Sequence, residues 1–195
     1  MAKEPDPEHI AIRLAIADVT LGWSRVEYEL FEMLSFALFN AEQVFPTSAI
    51  YFAPTSLRAR IDIVDRLVSV FIPKLPNSEA FQGFWSAILN AMKKERETRN
   101  TVAHGSISRQ PKGPNRPEGW YVTPHPVDVE RWQGRPKKPK QPTLLSTQRL
   151  IDSATRLSRI TLQLATFRAA IQGLHAKDPQ TTFEAVLRAL QRGVL

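Results

Sequence analysis

Residues 8–40 read EHIAIRLAIADVTLGWSRVEYELFEMLSFALFN, and two apolar lines run through them at helical spacing. The first is Ile10, Leu14, Ala17, Leu21, Ser24, Tyr28, Phe31, Ser35 and Leu38, which recur at alternating steps of four and three. The second, beside it, is Val19, Trp23, Val26, Leu30, Met33 and Ala37. Together they predict one long amphipathic helix whose apolar face is broad enough to touch more than one neighbour. A helical bundle follows.

Downstream segments supply the neighbours. Pro46 and Pro54 bracket a connector, after which Leu57, Ile61, Val64, Leu67 or Val68, and Phe71 predict a second helix over 56–72. Pro73 and Pro76 end it, because proline lacks the backbone donor and disfavours helix in the residue before it. Asn77 or Ser78 then caps a third helix with Phe81, Trp85, Ile88 and Met92 in one stripe. The same spacing carries on into Glu95, Arg99 and Val102, so two charged groups stand on a line that is apolar for four turns. Ser146 or Thr147 caps a fourth long helix, with Leu150, Ala154, Leu157, Ile160 or Thr161, Leu164, Phe167 or Arg168, Ile171 and Leu174 as its stripe. Asp178 and Pro179 open a short terminal helix carrying Phe183, Val186, Leu187 and Leu190.

Between the third and fourth long helices the composition changes. Residues 105–143 hold eight of the 15 prolines and four of the 8 glycines, a density that no long helix survives. Arg109, Lys112, Arg116, Arg131, Arg135, Lys137, Lys138 and Lys140 outnumber Glu118, Asp128 and Glu130 there, and so carry most of the net charge of +7. This is a basic, proline-rich loop, within which Gly119-Trp-Tyr-Val-Thr123 has the character of a short strand, half of a small β-hairpin. The expected class is therefore all-α: one domain over 1–195, an antiparallel bundle of four to five helices with helices one to three in 8–104, a basic insertion over 105–145, and the last two helices in 146–195.

At 195 residues the chain is long enough to bury a substantial core without a staple. Cys 0 excludes disulfides, thiolate metal sites and a cysteine nucleophile. The polar start Met1–His9 lacks the basic-then-apolar order of a signal peptide, and the densest apolar run, Met33–Phe39, falls far short of the ~20 residues that span a bilayer. A cytoplasmic protein without a membrane partner is expected. The positive balance favours anionic partners through a field that reads no sequence. His9, His104, His125 and His175 stand at no ligand spacing from one another, so no metal is expected, and no glycine-rich phosphate loop implies a nucleotide cofactor.

What remains is Glu95-Arg-Glu-Thr-Arg99-Asn100-Thr-Val-Ala-His104-Gly105, where the third helix gives way to loop. An arginine offers a fixed cation with a fork of donors suited to phosphate, and a histidine exchanges protons near neutral pH. Metal-free RNA cleavage asks for a base at the ribose 2′-hydroxyl, an acid at the leaving oxygen and positive charge at the phosphorus. One arginine and one histidine do not fill three roles comfortably. Positions five apart also diverge by roughly 140° on an unbroken helix. Either the helix unwinds before His104, as Gly105 permits, or a second subunit completes the set across a two-fold axis. Structural readings stand beside these: Arg99 pairing with Glu95 or answering the helix dipole, His104 meeting the last carbonyls, and Asn100 capping locally.

Arg99-Asn100 followed by three residues and His104 resembles the Arg-polar-x-x-x-His signature of the HEPN superfamily of helical domains. The layout is similar over residues 8–174, including a long first helix with Trp23-Ser-Arg-Val-Glu27 and the motif at the end of the third helix. The resemblance implies a homodimer acting as a metal-independent endoribonuclease, in toxin–antitoxin, phage-defence or RNA-processing settings, with an antitoxin protein as a further partner. It makes His104 the acid or base, Arg99 the phosphate ligand and Asn100 the assisting polar residue. The rival reading is a non-catalytic interaction module that binds protein or nucleic acid through Lys137, Lys138 and Lys140, with Trp120, Tyr121 and Trp132 as stacking surfaces.

Overall fold

The computed structural model describes residues 6–39, 44–114, 116–124 and 143–173. They are mostly helical. In chain order they form α1 (Pro7–Phe39), α2 (Val44–Phe52), α3 (Leu57–Phe71), a 3-10 turn (Ile72–Lys74), α4 (Ser78–His104), β1 (Ser106–Gln110), β2 (Gly119–Thr123) and α5 (Thr147–Gly173). Among the described residues no helix is long and apolar enough to cross a membrane. The expected terminal helix around Phe183–Leu190 lies outside the described residues, as do Arg131, Trp132, Arg135, Lys137, Lys138, Lys140 and His125.

Local chemistry accounts for the element ends. Ser56 caps α3, its hydroxyl accepting from the Ala59 N–H at 3.2 Å, and Ser146 does the same for α5 from Arg149 at 3.3 Å. Asn77 adopts φ 56 before α4, a conformation that asparagine tolerates better than most residues. Two expectations change. The connector around Pro46 is helical, because Pro46 is the third residue of α2, in the first turn, where no intrahelical N–H is needed. The stretch after Gly105 is not all loop: β1 pairs antiparallel with β2 from Ser106↔Thr123 to Gln110↔Gly119, and Val122 also bridges Leu145. A small sheet thus accompanies the helices.

The chain falls into two compact units, residues 1–23 with 92–158 and residues 24–91 with 159–195. In the first, Ile12, Ala15, Val19, Trp23, Met92, Tyr121, Val122, Leu145, Leu150 and Leu157 are buried. Gly22 lets α1 approach α5, since a Cβ there would meet Leu157 at 3.0 Å. The hairpin is held to the start of α1: the Trp120 indole donates to Asp6 at 2.8 Å and its ring lies 4.5 Å from that of His9.

In the second unit the core is Val26, Leu30, Met33, Leu34, Tyr51, Ile61, Val64, Val68, Phe81, Trp85, Ile88, Leu164 and Phe167. Phe167 sits among aromatic rings, 5.1 Å from Trp85 and 6.0 Å from Phe81. Polar groups that enter this core are satisfied. Trp85 donates to Asp65 at 2.8 Å, the Tyr51 hydroxyl to the Glu27 carbonyl at 3.2 Å, Arg60 to the Glu27 carboxylate at 2.7 Å, and Arg168 to Glu29 at 3.0 Å. Burial pushes the Tyr51 phenol well above its ordinary range, with the Glu27 carboxylate adding to the effect.

On α1 the structure chooses between the two apolar lines. Val19, Trp23, Val26, Leu30 and Met33 are buried, with Ile12 and Ala15 extending the line, whereas Ile10, Leu14, Leu21, Tyr28 and Leu38 of the other line are exposed. The expected single broad face is therefore two faces, one of them in solvent. Both sets repeat every 3.5 residues, Ile12 to Met33 as well as Ile10 to Leu38, so each drifts by about 20° per heptad round a straight helix and the period does not separate them. That drift carries Ser35 inward, where it is buried.

Candidate functional site

The final turns of α4 carry Arg99, Asn100 and His104. The helix stays intact to its last residue, His104, and the Gly105 N–H still closes on the Thr101 carbonyl at 2.8 Å. Unwinding before His104, one of the two expected routes to convergence, is therefore not what this chain does. Gly105 serves a different end. A Cβ there would fall under 3.0 Å from the Thr101 and Thr123 carbonyl oxygens and from Val122, so only glycine lets the end of α4 pass this close to β2.

On an unbroken helix Asn100 and His104 stand one turn apart on the same face, and Arg99 is rotated about 100° from Asn100 toward the Met92 line. Arg99 and Asn100 are half-buried and His104 is exposed. The Arg99 Nη1 donates to the Asn100 Oδ1 at 3.5 Å, the outer limit of a hydrogen bond. The structure so joins Arg99 to Asn100 and sets His104 beyond them, without a hydrogen bond between His104 and either residue.

Glu95 explains why Arg99 is left over. The i, i+4 pair that the sequence permits does not form. Glu95 is buried, and its carboxylate accepts from the Ser153 hydroxyl and the Arg156 Nε of α5, each at 2.5 Å. Among the described residues no carboxylate lies within ion-pair distance of Arg99. Nor does the helix dipole account for it, since that effect is confined to the last turn, where the basic residue is His104. Glu27, the last residue of the Trp23–Glu27 stretch that entered the resemblance, is held by Arg60.

Two further cations belong to this surface and were not singled out in the sequence. Lys93 and Arg96 precede Asn100 by seven and four residues, which puts Lys93, Arg96, Asn100 and His104 in one stripe of α4. Neither forms an ion pair with a described residue. The three, four and seven spacing was the available signal. An anion lying along this stripe would meet Lys93 and Arg96 before reaching the imidazole.

The basic insertion looks different. Arg109 pairs with Glu118 at 3.0 Å, while Arg116 lies 5.6 Å over the Tyr121 ring and donates to the Pro111 carbonyl at 3.2 Å. Trp120 and Tyr121, read as stacking surfaces, are engaged otherwise: Trp120 with Asp6 and His9, and Tyr121 in the core with its hydroxyl donating to the Pro117 carbonyl at 3.0 Å. The described part of the insertion braces the fold. Among the described residues no group of three histidine, aspartate or glutamate side chains is placed to hold a metal.

No family model, curated protein or solved structure matches the chain.

Proposed function

We propose that this chain is a HEPN-like, metal-independent endoribonuclease, built as an antiparallel helical bundle and acting as a homodimer. The observation that carries the reading is Arg99: a half-buried guanidinium without a carboxylate among the described residues, touching Asn100, which stands one turn before the exposed His104. A partly covered cation without a counter-ion among the described residues is a site for an anion, and phosphate matches its fork of donors. His104 is free to exchange a proton with a bound substrate.

In this reading the ribose 2′-oxygen attacks the adjacent phosphorus and the bond to the 5′-oxygen breaks, leaving a 2′,3′-cyclic phosphate and a 5′-hydroxyl. His104 of one copy accepts the 2′-hydroxyl proton, and His104 of the second copy returns one to the departing 5′-oxygen. Arg99 neutralises charge on the phosphoryl oxygens, and Asn100 holds the guanidinium in place through its side-chain carbonyl. RNA is the substrate class because only its 2′-hydroxyl supplies the internal nucleophile.

The test is cleavage of mixed RNA in excess chelator by wild type, Arg99→Ala and His104→Ala. Chelator-resistant cleavage that ends in 2′,3′-cyclic phosphate and disappears in both variants supports the reading. Equal inactivity of three well-folded proteins rejects it in favour of an interaction module.

A further inference from the structure

Glu95 lies on the same helix as Arg99, Asn100 and His104 and is 4% exposed. Both of its carboxylate oxygens are taken from α5, where Ser153 donates its hydroxyl to Oε2 and Arg156 its Nε to Oε1, each at 2.5 Å. Phosphate binding has no use for this carboxylate, and its position threatens that binding. Side chains three and four residues apart on a helix meet, and the residues within that reach of Glu95 are Ala91, Met92, Thr98 and Arg99. Arg99 is the cation of the four. It also stands on the favourable side, because a glutamate pairs best with a cation four residues towards the C-terminus.

We infer that Arg156 is a positioning residue that keeps the anion site open. By holding Glu95 on α5 it leaves the Arg99 guanidinium unpaired; when that hold is lost, Glu95 turns to Arg99 and closes the site to phosphate. The inference rests on the reading of Arg99 as the phosphate ligand. The ion pair is unequal in a way that suits this role: the Arg156 side chain is 48% exposed and that of Glu95 6%. Of the two α5 donors only Arg156 carries charge, so its removal uncovers little apolar surface but strands a carboxylate out of water, and a stranded charge takes the nearest counter-ion. The contact that Arg99 would give up, to Asn100 at 3.5 Å, opposes the exchange weakly.

The first measurement needs no RNA. Arg99→Ala is expected to leave the urea midpoint nearly unchanged in the wild-type background and to lower it in an Arg156→Ala background, because only there does Arg99 serve Glu95. Arg156→Gln, which keeps a donor for Glu95 but no charge, takes the place of Arg156→Ala if that variant does not fold. An equal effect of Arg99→Ala in both backgrounds overturns the proposal, whatever the protein does to RNA.

The second measurement reads the site itself, by fluorescence anisotropy with a labelled RNA carrying 2′-O-methyl groups throughout. That probe lacks the internal nucleophile, so its affinity is independent of cleavage. Arg156→Ala is expected to bind it about tenfold more weakly than wild type, and Arg156→Lys about as well as wild type. Adding Glu95→Gln to Arg156→Ala restores the affinity, since a neutral amide has no charge with which to capture the guanidinium. A loss that persists in the double variant makes Arg156 an RNA contact or a support of the fold and overturns the proposal. Wild-type affinity in Arg156→Ala, with binding still weakened by Arg99→Ala, overturns the proposal and leaves the Arg99 reading standing. Affinity indifferent to Arg99→Ala removes both.

Discussion

Arg168 and Arg99 are both arginines drawn partly out of water on long helices, and they end differently. Arg168, in the second unit, closes on Glu29 at 3.0 Å and lies 3.9 Å from Glu32. Arg99, in the first, has its neighbouring carboxylate, Glu95, taken by Ser153 and Arg156. A buried ion pair is costly to break because the survivor keeps an uncompensated charge. An arginine already without a partner loses no such pairing on removal, and its charge remains available to a ligand. The contrast separates an arginine paired within the fold from one whose charge no described carboxylate meets.

Substitution at both positions breaks the comparison most directly. Arg99→Ala is expected to lower RNA cleavage by at least about a hundredfold while moving unfolding free energy by no more than about 0.5 kcal/mol. Arg168→Ala is expected to do the reverse: cleavage per folded molecule holds, and stability falls by about 2 to 3 kcal/mol because Glu29 is left nearly buried and unpaired. Paired denaturation and single-turnover cleavage curves read both. A loss of stability in Arg99→Ala equal to that in Arg168→Ala would erase the distinction.

The turn after the site gives a smaller effect. Gly105→Ala presses a methyl group into the Thr101 and Thr123 carbonyls, and about 1 to 3 kcal/mol of stability is expected to go, measured by urea unfolding. Giving Arg99 the partner it lacks sharpens the contrast further. Ala103 is exposed one turn beyond Arg99, so Ala103→Glu is expected to occupy the guanidinium and slow cleavage by about tenfold, with thermal unfolding unchanged.

The smallest expected effect is on acidification. The Trp120 indole holds the Asp6 carboxyl below its ordinary 3.8, and the backbone N–H groups of Glu8 and His9 act in the same direction. A depressed carboxylate stabilises the fold above 3.8 and loses that contribution as pH falls through its lower folded value. Thermal unfolding temperature is therefore expected to drop more steeply below pH 4 in wild type than in Asp6→Asn.

Much of the helix plan was legible because its signals are local. Leu57, Ile61, Val64 and Val68 repeat at the helical period and are the buried residues of α3, and Phe81, Trp85, Ile88 and Met92 likewise in α4. The α2 helix was not legible, since Pro46 reads as a breaker unless the helix start is already known. Strand β1 was hidden because Ser106-Ile-Ser-Arg-Gln110 has little strand character of its own and gains its order by pairing with β2. Arg99, Asn100 and His104 were legible as a spacing, but the state of Arg99 was not, because Glu95 at i−4 pointed to the wrong partner. Ser153 and Arg156, 58 and 61 residues beyond Glu95, decide that question.

By itself the sequence determined where the long helices run and which turn of α4 carries the arginine and the histidine, since periodicity, caps and prolines act within a few residues. Only the tertiary structure decided which apolar line of α1 enters the core and which arginine keeps a free charge. The two lines are chemically alike, and so are the arginines. Burial and pairing are assigned by segments distant in the chain, whose positions no local pattern records.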